Sequence, residues 1–307
     1  MTAPANWIPN CPDRCARAPR AAGASGRLLA IPPSLRGAFV AVVWRDIRGR
    51  ALDDAQRLSH FPATPLLCLA WYPDGEVGLV SDTPGAARWR AFDAALMLSG
   101  SQSMPTTSWA PLGVRGGMAC FTPDVARALF GIEPRCLQDR FVTAPAVLDP
   151  VFAPLCRALC DASDEFSALA ALEQHLAPRW DALRGPESPA LDLAHVGRHW
   201  LQNVGLHAQR WRRTLGLRQV ERRVKEFSGR SFQQWKSLVQ TEGVFGDARA
   251  RHDRGDKVCF VALAAEHGFS DQAHMIRATR RITGFTPQDF AKRFVEDESF
   301  WFYRLWT

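Results

Sequence analysis

No apolar run in this chain reaches the roughly 18–20 residues that a bilayer crossing needs. The longest, Ala38–Trp44 and Pro65–Tyr72, are strand-sized. The phosphate-cradling P-loop, the glycine fingerprint of dinucleotide sites and the nucleophile elbow are also missing. The eight cysteines do not form a zinc framework. Cys11/Cys15 and Cys156/Cys160 are the only close pairs, and neither has the second pair or His that a four-ligand site requires. At 307 residues the chain is also too long for a disulfide scaffold, so reduced thiols in a cytoplasmic protein are expected. His195 and His199 stand one helical turn apart but lack a third ligand, and read as helix-surface histidines. His60 and His175 are too few for a three-His metal centre in the front half. No metal, cofactor, catalytic residue or enzymatic activity is expected.

What the chain does have is an uneven charge. The net value is +7. Between His195 and Phe294 there are 19 Lys and Arg against nine Asp and Glu, which leaves the front of the chain close to neutral. A basic back half on a neutral front marks the back half as the part that meets a polyanion. Residues 1–26 are rich in Ala, Arg and Pro, nearly free of acids and without the apolar core of a secretory signal; they read as a disordered tail. Val-, Leu- and aromatic-rich stretches at Gly37–Trp44, Thr64–Tyr72, Glu76–Val80, Phe92–Leu98 and Gly116–Phe121 predict strands. Thr122-Pro123 predicts a helix start and Gly131 its stop. From about Leu148 to Leu183 the period is helical, with Phe166, Leu169, Leu172 and Leu176 as its stripe, and Gly185–Pro189 reads as a linker. The expected fold is an α+β multidomain chain. A mainly β, barrel-like domain with C-terminal helices spans 27–184 and an all-α domain spans 190–295. The aromatic stretch at 296–307 is too apolar to float free.

The most informative feature is a repeat with an offset of 55 residues. Val220, Val224 and Phe227 correspond to Met275, Thr279 and Ile282; Arg222 and Lys225 to Arg277 and Arg280; Gly229 to Gly284; Ser231 to Thr286; and Trp235 to Phe290. In each copy the apolar positions form a stripe and the basic ones the opposite face of one helix. A glycine stop and a capped second helix follow. Ahead of the second copy, Phe260–Phe269 predicts a helix with small Ala264 and a tight turn at Gly268, so helix, turn and helix follow one another.

Gly268-Phe269-Ser270-Asp271-Gln272-Ala273-His274, continued by Arg280-Arg281-Ile282-Thr283-Gly284-Phe285-Thr286-Pro287, resembles the signature of the AraC/XylS transcription regulators. Arg218-Gln219-Val220-Glu221-Arg222-Arg223 resembles that family's first recognition helix. The resemblance covers about the last hundred residues. It implies a bacterial, cytoplasmic and nucleoid-associated regulator, expected to be an activator, that binds double-stranded DNA through two helix-turn-helix units. By residue-wise match it assigns base contacts to Arg218, Glu221 and Arg222 in the first unit, and to Gln272, Ala273, His274, Ile276 and Arg277 in the second. Lys225, Arg230, Lys236, Arg280 and Arg281 are better placed for phosphates. RNA polymerase, a small-molecule effector of the front domain and a second copy of the chain are the further partners it leaves open. Gly216 stands where the family has a capping Ser, Phe232 where it has Pro, and His207–Leu215 is crowded with Arg and lacks the expected Ala and Gly, which makes the first unit the weaker match; in the second unit Thr279 stands where the family has a core Phe. Two other readings remain: a regulator that accepts methyl groups on a zinc-held cysteine, and a β-barrel enzyme fused to a DNA-binding domain.

Overall fold

The computed structural model describes residues 8–21, 26–81, 87–183, 196–254 and 260–305. The linker expected at 185–189, and His195, lie outside the described residues.

The front of the chain forms two antiparallel sheets. One runs in the order β1 (Ile8–Pro9), β7 (Arg88–Ala91), β6 (Gly78–Val80), β9 (Thr106–Trp109) and β4 (Leu58–Phe61). The other runs β11 (Phe141–Thr143), β8 (Leu96–Ser99), β5 (Leu67–Trp71), β10 (Arg115–Phe121), β3 (Ala41–Asp46) and β2 (Gly26–Leu29). The strand predicted at Phe92–Leu98 begins only at Leu96, after a bend at Asp93–Ala95. Among the described residues no ladder joins the two sheets into a barrel. Their edge strands β4 and β2 are both packed by the short C-terminal helix α10 (Trp301–Leu305). A helix laid along sheet edges shields them from pairing, as closure would.

Period-2 alternation divides the six-stranded sheet between two cores. Val42 and Trp44 on β3, Leu67, Leu69 and Trp71 on β5, and Ala119 and Phe121 on β10 belong to the larger core. That core is completed by α1 (Pro123–Phe130), α2 (Ala153–Asp161) and α3 (Glu165–Leu183). Ala41 and Val43, Cys68 and Ala70, and Met118 and Cys120 belong instead to a second core with Trp301 and Phe302. With both faces covered, the strands read in sequence as unbroken apolar runs. Helix α1 begins and ends as predicted: Thr122 accepts a hydrogen bond from Val125 N, Pro123 opens the first turn and Gly131 takes φ 68°. Of the expected stripe on α3, Leu172 and Leu176 are buried and Leu169 packs half-buried on the core, with Ala168, Ala171 and Trp180 beside them; Phe166 alone departs from it, at 75% exposed.

Residues 8–21, expected to belong to a disordered tail, are tied to the C-terminal end of the chain. Arg17 pairs with Glu296 at 2.6 Å and with Asp297 at 2.9 Å, and Arg20 N donates to the Glu296 carbonyl. Arg293 donates to the Cys15 and Ala16 carbonyls and pairs with Asp297 at 3.2 Å. The aromatic C-terminus is equally fixed. The Trp301 indole donates to Ser59 Oγ at 2.9 Å, and the Arg45 guanidinium lies 4.6 Å over its ring. Replacing Trp301 with Ala removes a buried ring and leaves the Arg45 side chain without its stacking partner. It should cost about 3–5 kcal/mol of unfolding free energy, read from the shift in denaturant midpoint; an unchanged midpoint would mean that α10 does not seal the sheets.

Candidate nucleic-acid interface

The back of the chain contains α4 (Val196–Arg212), α5 (Leu217–Ser228), α6 (Phe232–Asp253), α7 (Phe260–Glu266), α8 (Gln272–Thr283) and α9 (Pro287–Glu296). The 55-residue repeat holds at the level of hydrogen bonds. Ser228 Oγ lies 2.7 Å from the Val224 carbonyl and 2.9 Å from that of Arg230; Thr283 Oγ1 lies 2.9 Å from the Thr279 carbonyl and 3.3 Å from that of Phe285. Gly229 and Gly284 close α5 and α8 at φ 81° and 85°. In the next turn Ser231 accepts from Gln234 N and Thr286 from Asp289 N. Thr279, where a larger core side chain was expected, is fully buried, and its backbone carbonyl serves this bond.

The N-terminal ends of the two helices differ. Asp271 caps α8 by accepting from His274 N, and that bond, the Ser270 hydroxyl and the charge of Arg277 hold its carboxyl below the usual range. At Gly216 there is no side chain to cap α5. Gln219 supplies one half of the capping box alone, its side-chain oxygen accepting from Gly216 N at 3.3 Å.

Val220, Val224, Trp235 and Leu238 share a core with Trp200, Val204 and Ile282. Met275 and Ala278 pack with Val244, Ala248, Leu263, Ala264 and Phe269. These contacts settle the outward faces. Arg218, Glu221, Arg222 and Lys225 on α5 are exposed, as are Gln272, Ala273, Arg277 and Arg280 on α8 and Lys236 on α6. Ile276 is half-buried. Arg222 lies 3.6 Å from Glu226 on its own helix. His274 turns toward its own turn, with Nδ1 3.2 Å from Ser270 Oγ and its ring edge-on to Phe269.

Two of the expected phosphate contacts are placed differently. Arg230 is buried, with its guanidinium 4.8 Å over the Trp235 ring and donating to the Gln102 carbonyl of the β region. Burial pulls its pKa down to about 10, opposed by the charge of Asp139. A side chain so enclosed is a structural anchor, not a surface cation. Arg281 is exposed but donates to Ser237 Oγ at 2.9 Å, bracing α8 against α6. Sequence reasoning singled out neither Arg210, Arg212 and Arg213, exposed at the end of α4 just ahead of α5, nor Arg223, stacked 5.4 Å over Trp211. The crowding of Arg in Arg210–Arg213 was the signal available for them.

Both repeats rest on the β region through their C-terminal turns. Gln138 donates to the Gly229 carbonyl at 2.8 Å and Arg127 to that of Phe227 at 3.0 Å, while Ala63 N donates to the Ile282 carbonyl at 2.8 Å. Thr64 and Gln102 are joined by a β-bridge beside these contacts. The exposed basic residues run along the outward face of each helix, from Arg218 in the first turn of α5 to Lys225 in its last, and from Arg277 to Arg280 in the last turn of α8. Among the described residues no group of three or more His, Cys, Asp or Glu is placed to hold a metal ion, and no helix is long and apolar enough to cross a membrane.

No family model matches the chain, and no curated protein does. Among solved structures it is similar to ToxT from Vibrio cholerae. An apo variant of that protein is 9% identical with a TM-score of 0.37, covering 81% of this chain and 96% of the other. ToxT from Vibrio cholerae O395 is 10% identical with a TM-score of 0.35, covering 78% and 95%. ToxT with an unsaturated fatty acid bound is 10% identical with a TM-score of 0.34, covering 76% and 94%. Identities and scores this low leave the function to be read from the chain's own residues.

The seat of the second repeat contains a buried histidine. His60 on β4 packs against Phe285 and Phe300, and Nδ1 lies 3.1 Å from Thr107 Oγ1. Burial pushes its pKa down to about 3, with Arg14 and Arg293 adding to the effect. An unfolded histidine titrates near about 6.5, so in the window between these values the unfolded chain binds one more proton than the folded one. Stability therefore falls as pH drops below about 6.5. The Tm of the protein should decline between about pH 7 and pH 5, and His60→Gln should decline less over the same interval; parallel slopes would show that His60 is not the group responsible.

Proposed function

We propose that this chain is a sequence-specific DNA-binding transcription regulator of the AraC/XylS kind. In this reading the pairs α4–α5 and α7–α8 are two helix-turn-helix units, and α5 and α8 enter the major groove. The observation that carries it is the repeat. Two helices built on the same hydrogen-bond scheme bury equivalent faces and expose Arg222 and Lys225 on one, Arg277 and Arg280 on the other. Helix α6 has 22 residues and so a length of about 33 Å at 1.5 Å per residue. That is close to the roughly 34 Å between successive major-groove segments on one face of DNA. One chain can then occupy two segments of one asymmetric site.

Within that reading, Arg218, Glu221, Arg222, Gln272, Ala273, Ile276 and Arg277 face base edges. An Arg forks onto guanine, a Glu accepts from cytosine, and Ala or Ile touches a thymine methyl. His274 reaches DNA only if it leaves Ser270. Lys225, Lys236 and Arg280 meet phosphates, while Arg230 and Arg281 hold the module together. The front domain acts as the sensor. Between its sheets a cavity is lined by Val43, Ile47, Phe61, Trp109, Met118 and Trp301, with Arg45 and Arg57 as its cations. A small-molecule effector bound there would touch Trp301, which belongs to the C-terminal helix. The proposal assigns no catalytic residue and no cofactor.

Arg277 and Arg280 on one helix separate base reading from charge. Arg277→Ala should weaken binding to the cognate site by about 1–3 kcal/mol and relax preference at one base pair. Arg280→Ala should weaken cognate and scrambled duplexes alike and flatten the salt dependence by about one unit of slope. Both residues are exposed, so the Tm should stay within a degree or so of the parent for each. Binding isotherms on both duplexes at two salt concentrations check this. Equal loss on every sequence for Arg277→Ala would remove α8 as a base reader.

A further inference from the structure

The second core of the front domain lies beneath α10. Cys68 on β5 and Cys120 on β10 are Cα partners in the antiparallel ladder, and their side chains are on the same face of the sheet. The Cys68 and Cys120 sulfurs lie 3.2 Å apart in hydrogen-bond contact. Among the described cysteines this is the one pair whose sulfurs are hydrogen-bonded to each other; Cys11, Cys15, Cys136, Cys156 and Cys160 are also free thiols. We propose that Cys68 and Cys120 are a redox-active pair that closes reversibly to a cross-strand disulfide under a peroxide.

The geometry asks little of the backbone. Directly opposed residues on antiparallel strands have Cα atoms about 4.5–5.5 Å apart, inside the roughly 4.4–6.8 Å range in which disulfides form. The sulfurs need to approach by only about 1 Å to reach bonding distance. The roles follow from exposure. Cys68 is partly exposed, whereas Cys120 is 1% exposed. The Cys68 hydrogen bond, then burial, holds the Cys120 thiol well above the usual cysteine range. The thiolate is the attacking species, so Cys68 attacks first and Cys120 resolves. Cys68 Sγ attacks one peroxide oxygen, the S–O bond forms and the O–O bond breaks, and one water leaves with the thiol proton. Cys120 Sγ then attacks the Cys68 sulfenic sulfur. The S–S bond forms, the S–O bond breaks, and the hydroxyl leaves as a second water with the Cys120 proton. Two thiols give up two electrons and one peroxide takes them.

The position gives the bond a consequence. Cys68 and Cys120 share their core with Trp301, Phe302 and Leu305, so the covalent link joins β5 to β10 beneath the helix that seals both sheet edges. The alternative, two thiols acting only as small core residues, predicts no reaction at all.

The full chain, reduced and then treated with hydrogen peroxide, is blocked with N-ethylmaleimide under denaturing conditions and mapped as tryptic peptides without reduction. The expected product is the Cys68 peptide joined to the Cys120 peptide within one molecule, two hydrogens lighter than their sum and released by dithiothreitol. Cys68→Ser and Cys120→Ala should each abolish it. Since the linkage is read in the unaltered protein, poor folding of either variant does not blur the result. Recovery of both cysteines as alkylated thiols, or linkage of either one to a different cysteine, overturns the proposal.

Discussion

The arrangement of the whole molecule depends on how Asp297 and Glu298 are neutralised. Both are buried, at 0% and 2% exposure. Asp297 is held by Arg17 from the first residues of the chain and by Arg293 from α9, and Glu298 stands 3.7 Å from Arg45 on β3 and 3.7 Å from Arg304 on α10. A buried carboxylate that loses a partner costs about 3–5 kcal/mol, so these two residues commit four arginines from four parts of the chain to one place. With Asp297 and Glu298 fixed, Trp301 and Phe302 follow into the gap between the sheet edges. The beginning and the end of the sequence are thereby locked together. The lock adds specificity of arrangement more than stability, because desolvating so many charges offsets much of their attraction.

The same lock sets how α5 and α8 are presented. Helix α9 ends at Glu296, one residue before Asp297, and α8 is joined to α9 by the Gly284 turn that rests near Arg14 and Phe285. The first repeat is held through Arg230, Gly229 and Phe227. Each repeat is gripped at its C-terminal turn, where a glycine in the left-handed region leaves backbone carbonyls open to outside donors. Arg218, Arg222, Lys225, Arg277 and Arg280 stay exposed on the outward faces, while the opposite faces enter the two helical cores. Packing and surface chemistry are thus divided between the faces of each helix.

Much of this division was legible in the sequence. The offset of 55 residues is visible because one hydrogen-bond scheme demands small polar residues and glycine at fixed positions. Ser228 and Thr283, Gly229 and Gly284, and Ser231 and Thr286 can be aligned without coordinates. Helix α1 announced its own ends through Thr122-Pro123 and Gly131. The strands with long apolar runs were legible, but short ones such as β4, β7 and β9 were not. Thr106–Trp109 is mostly polar in sequence, yet Thr107, Ser108 and Trp109 are all buried, because neighbouring strands cover residues that form no apolar run.

Arg230 shows where local reading stops. By sequence it is one more cation beside a basic helix; in the structure it lies on Trp235 and donates to Gln102, 128 residues away. Cys68 and Cys120 show the same limit, since spacing suggested Cys11/Cys15 and Cys156/Cys160 whereas strand register brings together residues 52 apart. The sequence by itself determined what depends on the helical period and on backbone capping: the repeat, the outward basic faces and the division into a β-rich front and an α-helical back. Tertiary structure decided which polar groups left the surface, which thiols met and that the C-terminal helix packs on edge strands of both sheets. Those outcomes turn on pairing across long loops, and a chain carries no local periodicity that encodes its partner.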